Sequence, residues 1–145
     1  MKKSIIVALA APLMLSSVAQ ADLGQTFAQS SSYLGPYYYS STDDFGTPQM
    51  QWDFTGGPTG GGCTIAEQYN SHNVCVRQVI IIRGFNTHNP QRQLFPFIEN
   101  VLQNNYDKAE WQYAGNNYWV TADQVCRAFA IYQTDGIVKL QIDYK

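Results

Sequence analysis

Val74-Cys75-Val76-Arg77-Gln78-Val79-Ile80-Ile81-Ile82-Arg83 is the stretch around which this chain organises itself. Its β-branched side chains are stiff at χ1 and pack well on a pleated surface, which favours a strand. A near-continuous apolar run marks that strand as central rather than as an edge. Past it, Gly84 to Gln93 reads as a polar loop containing His88-Asn89-Pro90. Pro96 to Tyr106 then reads as a helix, with Pro96 in the first turn and Phe97, Ile98, Val101 and Leu102 on one face.

Three or four further strands follow. Lys108 to Ala114 leads into the turn Gly115-Asn116-Asn117, and Tyr118 to Thr121 makes a short return. Val125 to Gln133 ends at Thr134-Asp135-Gly136, a hairpin turn signal. Ile137 to Tyr144 closes the chain with Val138, Leu140, Ile142 and Tyr144 on one face and Lys139, Gln141 and Asp143 on the other.

Upstream, Gly56-Gly57-Pro58-Thr59-Gly60-Gly61-Gly62 cannot hold a regular element. Before it, Met50, Trp52 and Phe54 alternate with Gln51 and Asp53 as a half-buried strand does. The Tyr33 to Tyr39 run reads as a strand or an exposed aromatic arm. The expected class is α+β: an antiparallel sheet of about five strands with one helix packed on one face, preceded by a Tyr/Ser/Gly-rich N-terminal arm. In segments this gives a leader over 1–21, the arm and glycine linker over 22–62, and the α+β core over 63–145.

The leader reading rests on Lys2-Lys3, the apolar run Ile5 to Leu15 and the small-x-small site Ala19-Gln20-Ala21. That is the layout of a secretory signal peptide, and the expected product starts at Asp22 in the periplasm or outside the cell. No segment has the ~20 apolar residues of a membrane-spanning helix. Past residue 21, seven Lys and Arg face eleven Asp and Glu, with no basic cluster. Nucleic acid and anionic lipid are therefore poor partners, since both need concentrated positive charge.

Charged residues make up 14% of the chain, against ~25% in an ordinary soluble domain. Ten Tyr, fourteen Gln and nine Asn take their place. This suits a neutral glycan or a protein partner, because Tyr joins an apolar face to a hydroxyl. Tyr37, Tyr38, Tyr39, Trp52, Tyr118 and Trp119 are the candidate binding residues. Trp111 and Tyr113 alternate with Gln112 and so share one face of a strand, which reads as core.

The cysteines are Cys63, Cys75 and Cys126, an odd number in a chain addressed to an oxidising compartment. Cys75 and Cys126 lie in strand-like runs and form the expected disulfide. Cys63 is then spare, either buried and inert or available to link a homo-oligomer. No CxxC, zinc spacing or calcium loop occurs, so no metal or cofactor is expected.

Catalytic signals are sparse. His72 and His88 flank the central strand, and with Arg83 as an anion stabiliser they outline a nuclease-like hydrolase. Glu67 and Glu110 are the one carboxylate pair worth testing for glycoside hydrolysis. The functional expectation is an exported non-catalytic binding or interaction module. A small secreted hydrolase and a self-assembling surface protein are the alternatives.

Overall fold

The computed structural model describes residues 23–55, 61–84, 90–106, 108–133 and 136–145. Two helices and eight strands alternate as α1 (Phe27–Leu34), β1 (Tyr38–Thr42), β2 (Pro48–Phe54), β3 (Cys63–Tyr69), β4 (Cys75–Ile82), α2 (Pro90–Gln103), β5 (Trp111–Gly115), β6 (Tyr118–Thr121), β7 (Cys126–Tyr132) and β8 (Val138–Tyr144). All eight strands form one antiparallel sheet in the order β1-β2-β3-β4-β8-β7-β6-β5.

This overturns the expectation of about five strands, one helix and an N-terminal arm. The Tyr-rich stretch is no arm: it supplies α1, β1 and β2, and β2 pairs with β3 from Met50↔Glu67 to Phe54↔Cys63. β3 escapes a hydrophobicity reading because Thr64, Glu67 and Gln68 are polar, yet all three are buried. α1 announces itself only through its cap. Thr26 Oγ1 accepts the Gln29 amide at 3.3 Å, and Gln29 Oε1 accepts the Thr26 amide at 2.8 Å. α2 begins at Pro90, so Pro96 lies inside it and forgoes one intrahelical bond instead of opening the first turn.

The chain is thus a helix plus a four-stranded meander, stated twice. β4 and β8 meet antiparallel from Arg77↔Asp143 to Ile82↔Val138, which makes the strand order palindromic about this seam. No repeat in the sequence announces this. The turn between β5 and β6 holds Asn116 (φ 53°) and Asn117 (φ 57°), the left-handed pair of a two-residue type I′ hairpin. Thr134 and Asp135, expected to turn β7 into β8, lie outside the described residues, as do residues 56–60 of the glycine linker.

Cross-strand partners share a face, so register sorts the sheet. One face carries Trp52, Ile65, Ile80, Leu140 and Ala130 in a single row, with Trp119, Ala128 and Ile142 beside them. These join Leu34 of α1 and Leu94, Ile98, Val101 and Leu102 of α2 in one core. A polar chain crosses that core. The Tyr69 hydroxyl donates to Glu67 Oε2, Gln78 Nε2 donates to Glu67 Oε1 at 2.9 Å, and Asn105 Nδ2 donates to Gln78 Oε1 at 2.9 Å. The Leu23 amide then donates to Asn105 Oδ1 at 3.3 Å, and Trp111 Nε1 to the Asn105 carbonyl at 2.6 Å. Glu67, Gln78 and Asn105 are fully buried, and each is held by the next. Burial pushes the Glu67 carboxyl upward against the hydrogen bond from Tyr69.

The expected Cys75–Cys126 bridge is absent; all three cysteines are buried free thiols. Cys126 pairs with Tyr144 of β8, while the Cys75 backbone is engaged on that side by Gly24 and Gln25. One line of chain therefore separates β4 from β7. Two strand spacings, ~9.6 Å, exceed the ~7 Å Cα separation that a disulfide tolerates.

Candidate functional site on the open sheet face

The second face of the sheet carries neither helix. Its central row runs Tyr39, Gln51, Ala66, Val79, Gln141, Phe129 and Tyr118 from β1 to β6. Asp53, Thr64, Ile81, Lys139 and Ile131 form the row beside it. Arg77, Asp143 and Arg127 lie in the row on its other side. The β4 stretch, read as a central strand, is half-covered on this face at Val79 and Ile81, while Ile80 and Ile82 on the other are fully buried.

The turn between β1 and β2 folds over part of this face. Asp43 Oδ1 accepts the amides of Phe45 at 2.9 Å and Thr47 at 2.8 Å, which fixes the turn from within. Asp43 Oδ2 accepts Gln68 Nε2 at 2.8 Å, which ties the turn down to β3. The Thr47 amide foremost, with Gln68 and Phe45 assisting, holds the Asp43 carboxyl below the ordinary range. Asp44 reaches Lys139 Nζ on β8 at 3.8 Å. Beneath the turn lies a depression of about 250 Å³ with Ala66, Val79 and Ile81 in its lining. Gln49, Gln51, Gln68 and Gln141 line it with amides, Arg77 and Lys139 with cations, and Phe45 with a ring that is 91% exposed.

The hydrogen bonds leave a definite remainder. Gln49 Nε2 is given to Ser41 at 3.1 Å, Gln68 Nε2 to Asp43, and Gln141 Nε2 to Asp143 at 2.7 Å. Among the described residues, the side-chain carbonyl oxygens of these three glutamines accept nothing. The charges nearly cancel. Asp143 lies 2.7 Å from Arg127 Nε and 3.4 Å from Arg77 Nε, and Asp43 and Asp44 face Lys139 and Gln68. The depression therefore offers acceptors, an apolar patch and one projecting ring, with little net field.

A second network closes the face toward its end. The Tyr39 hydroxyl donates to Asp53 Oδ2 at 2.6 Å, Thr64 Oγ1 to Asp53 Oδ1 at 2.7 Å, and Arg83 Nη1 to Thr64 Oγ1 at 2.7 Å. Desolvation raises the Asp53 carboxyl, but the bonds from Tyr39, Thr64 and Gln51 together leave it below its ordinary value.

The sequence candidates divide between the faces. Trp52 and Trp119 are buried at 1% and 0% exposure and belong to the core. Tyr37 is exposed just ahead of β1, and Tyr38 sits on the edge strand toward the helices. Tyr39 and Tyr118 share the open face, yet they stand six strand spacings apart, roughly 29 Å. His72 is exposed in the turn before β4, Arg83 follows its far end, and the eight residues of β4 alone span ~26 Å. His88 lies outside the described residues. Glu67 is buried on β3 and Glu110 is exposed ahead of β5, so that pair does not meet. Among the described residues, no group of His, Cys, Asp and Glu could hold a metal ion, and no helix is long and apolar enough to cross a membrane.

The residues that line the depression were visible only in part. Gln51, Lys139 and Gln141 show as polar positions of alternating strands. Their convergence depends on β4 pairing with β8, across a separation no local pattern encodes. Compared with protein families, curated proteins and solved structures, the chain finds no match.

Proposed function

We propose that this chain is a non-catalytic binding module that takes a neutral, hydroxyl-rich ligand, a sugar unit of a glycan, in the depression on its open face. The observation that carries this reading is the set of unused amide carbonyls of Gln49, Gln68 and Gln141 around an apolar patch, beside the exposed Phe45 ring. Sugar hydroxyls donate to such oxygens, and the C–H face of a sugar ring packs on an aromatic ring. A volume of about 250 Å³ lies just under the ~300–1,000 Å³ of drug-sized sites and suits one ring. Binding is favoured over catalysis because Asp43 is already engaged by backbone amides and Gln68, and Asp44 is 89% exposed to solvent beside Lys139. The leader read in residues 1–21 would deliver the module to the periplasm or the exterior, among envelope polysaccharides.

Titration calorimetry against neutral oligosaccharides, with a polyanionic oligosaccharide as control, tests the reading. Gln68→Ala and Gln141→Ala should each lower affinity about five- to tenfold, the ~1 kcal/mol of a neutral hydrogen bond. The reading fails if neutral sugars do not bind, or if binding survives both substitutions and Phe45→Ala.

A further inference from the structure

We propose that the β1 edge is a self-association surface: β1 pairs antiparallel with β1 of a second copy about Ser40, closing a two-fold dimer. Three observations on the same edge carry this.

The first is the direction of the backbone groups. The Asp43 amide donates to the Thr47 carbonyl at 3.0 Å, so Asp43 and Thr47 form a hydrogen-bonded pair. Pair types alternate along an antiparallel ladder. Ser41↔Gln49 and Tyr39↔Gln51 therefore exchange their bonds inward, and Tyr38, Ser40 and Thr42 point both N–H and C=O away from β2. Among the described residues no strand lies on that side. Antiparallel pairing about Ser40 sets Ser40 against Ser40 and Tyr38 against Thr42. Every outward group on each copy then meets an outward group on the other.

The second is the absence of the devices that keep edges apart. Protected edges carry charge, proline or a bulge. β1 reads Tyr38-Tyr39-Ser40-Ser41-Thr42, with no charge, no proline and an unbroken register. The opposite edge, β5, has a register shift between Tyr113 and Gly115. Neutrality also selects the occupant, because a second copy brings no like charge against this strand.

The third is a matched ring and groove. Tyr38 is 42% exposed and sits on the helix-bearing face. An apolar groove of about 330 Å³ opens beside the same edge, lined by Ser40, Pro48, Met50, Phe27 and Tyr69. Pro48 is the register partner of Thr42. The two-fold pairing therefore sets Tyr38 of each copy opposite Thr42 and over the Pro48 end of the other's groove. Main-chain bonds would supply affinity, and the exposed side of a Tyr38 ring already packed on its own Phe27 and Trp52 would bear on the other copy and fix the register.

Sedimentation and cysteine cross-linking of the full chain test this. The wild type should be a dimer that dissociates on dilution. Ser40→Pro should make it monomeric with its circular dichroism unchanged, since that amide points outward and a proline there costs no bond within the sheet. Ser40→Cys should oxidise to a covalent dimer, because residues paired across a hydrogen-bonded position lie ~5.5 Å apart, within disulfide reach. Thr42→Cys alone should not, whereas Tyr38→Cys with Thr42→Cys should. A chain that stays monomeric at the highest concentration it tolerates overturns the proposal. So does a Ser40→Cys variant that stays reduced, a dimer untouched by Ser40→Pro, or open-ended growth with concentration.

Discussion

Trp52 on β2 and Trp119 on β6 occupy matching places on either side of the β4–β8 seam. Each is the second strand in from its edge. Each packs on a phenylalanine of its own half's helix, Phe27 at 6.0 Å and Phe95 at 5.6 Å. Each also meets a tyrosine of the edge strand, Tyr38 at 5.9 Å and Tyr113 at 5.1 Å. The phenylalanine–tyrosine contacts are edge-on in both halves, at 85° and 87°. The same solution, a helix clamped to a meander by Phe, Tyr and Trp, is used twice.

The two clamps differ in where the indole N–H goes, and that difference is measurable. Trp52 Nε1 donates to the Gly35 carbonyl at 3.0 Å; Trp119 Nε1 donates to the Glu99 carboxylate at 2.8 Å. A neutral bond contributes ~1 kcal/mol and one to a charged group ~1.5–3 kcal/mol. Trp119→Phe should therefore destabilise the protein more than Trp52→Phe in urea unfolding at neutral pH. Either alanine replacement should cost ~3–5 kcal/mol. Equal costs for the two phenylalanine variants would show that the ring, and not the polar contact, decides.

Glu67 makes stability depend on pH in an unusual direction. Burial raises its carboxyl above the ordinary 4.5, outweighing help from Tyr69 and Gln78. The folded protein thus holds this proton more tightly than the unfolded chain does. Below pH ~4.5 both states carry it and the full contribution is present. As pH rises from there through the raised value, the unfolded chain releases its proton first and stability falls. Glu67→Gln removes the titration, and it can keep both contacts if the Tyr69 hydroxyl turns from donor to acceptor. The variant's urea midpoint should exceed the wild type's near pH 7, and the gap should narrow toward pH 4. A gap that does not change with pH would show that Glu67 is not the titrating group.

The elements legible in the sequence were those in which hydrophobicity and strand period agree. β4, β6 and β8 fall within a residue of where Val74–Arg83, Tyr118–Thr121 and Ile137–Tyr144 were read. β3 was hidden because its buried polar residues are satisfied from elsewhere: Glu67 by Gln78 and Tyr69, Thr64 by Asp53 and Arg83, Gln68 by Asp43. α1 was hidden because it has eight residues, three of them serine, and only the Thr26–Gln29 box declared it. Trp52 takes the inward side of a half-buried strand, as its alternation with Gln51 and Asp53 implies, and its burial at 1% exposure goes beyond that pattern. Its burial depends on α1, which the reading lacked.

Asp143 is nearly buried between Arg127, whose Nε donates to it at 2.7 Å, and Arg77, whose Nε stands 3.4 Å away. The bond to Asp143 raises the Arg127 guanidinium further still above its ordinary value. Asp143→Asn would leave two guanidinium groups in one row of the open face, either side of β8, with no carboxylate between them. Both arginines reach solvent, so the cost should fall between the ~0–1 kcal/mol of a surface pair and the ~3–5 kcal/mol of a buried one. Because the defect is like-charge repulsion, added salt should restore part of the loss. A variant as stable as the wild type at low salt would show that Asp143 does not hold this pair together.

The free thiols lead to a chemical prediction. Burial foremost, with Asp53 adding and Arg83 opposing, pushes the Cys63 thiol up to about 12. The thiolate is the reactive species, and it is scarce at neutral pH. Cys75 and Cys126 are at 0% exposure and are separated by a line of chain, so neither can reach the other. The native protein should consequently react very slowly with an aromatic disulfide reagent and release three thiols once unfolded in guanidinium. A reducing agent should leave its melting temperature unchanged, although the leader reading would send the chain to an oxidising compartment. Recovery of a single thiol from the unfolded, unreduced protein would show a disulfide after all, and with it a rearrangement of the strands that hold the cysteines apart.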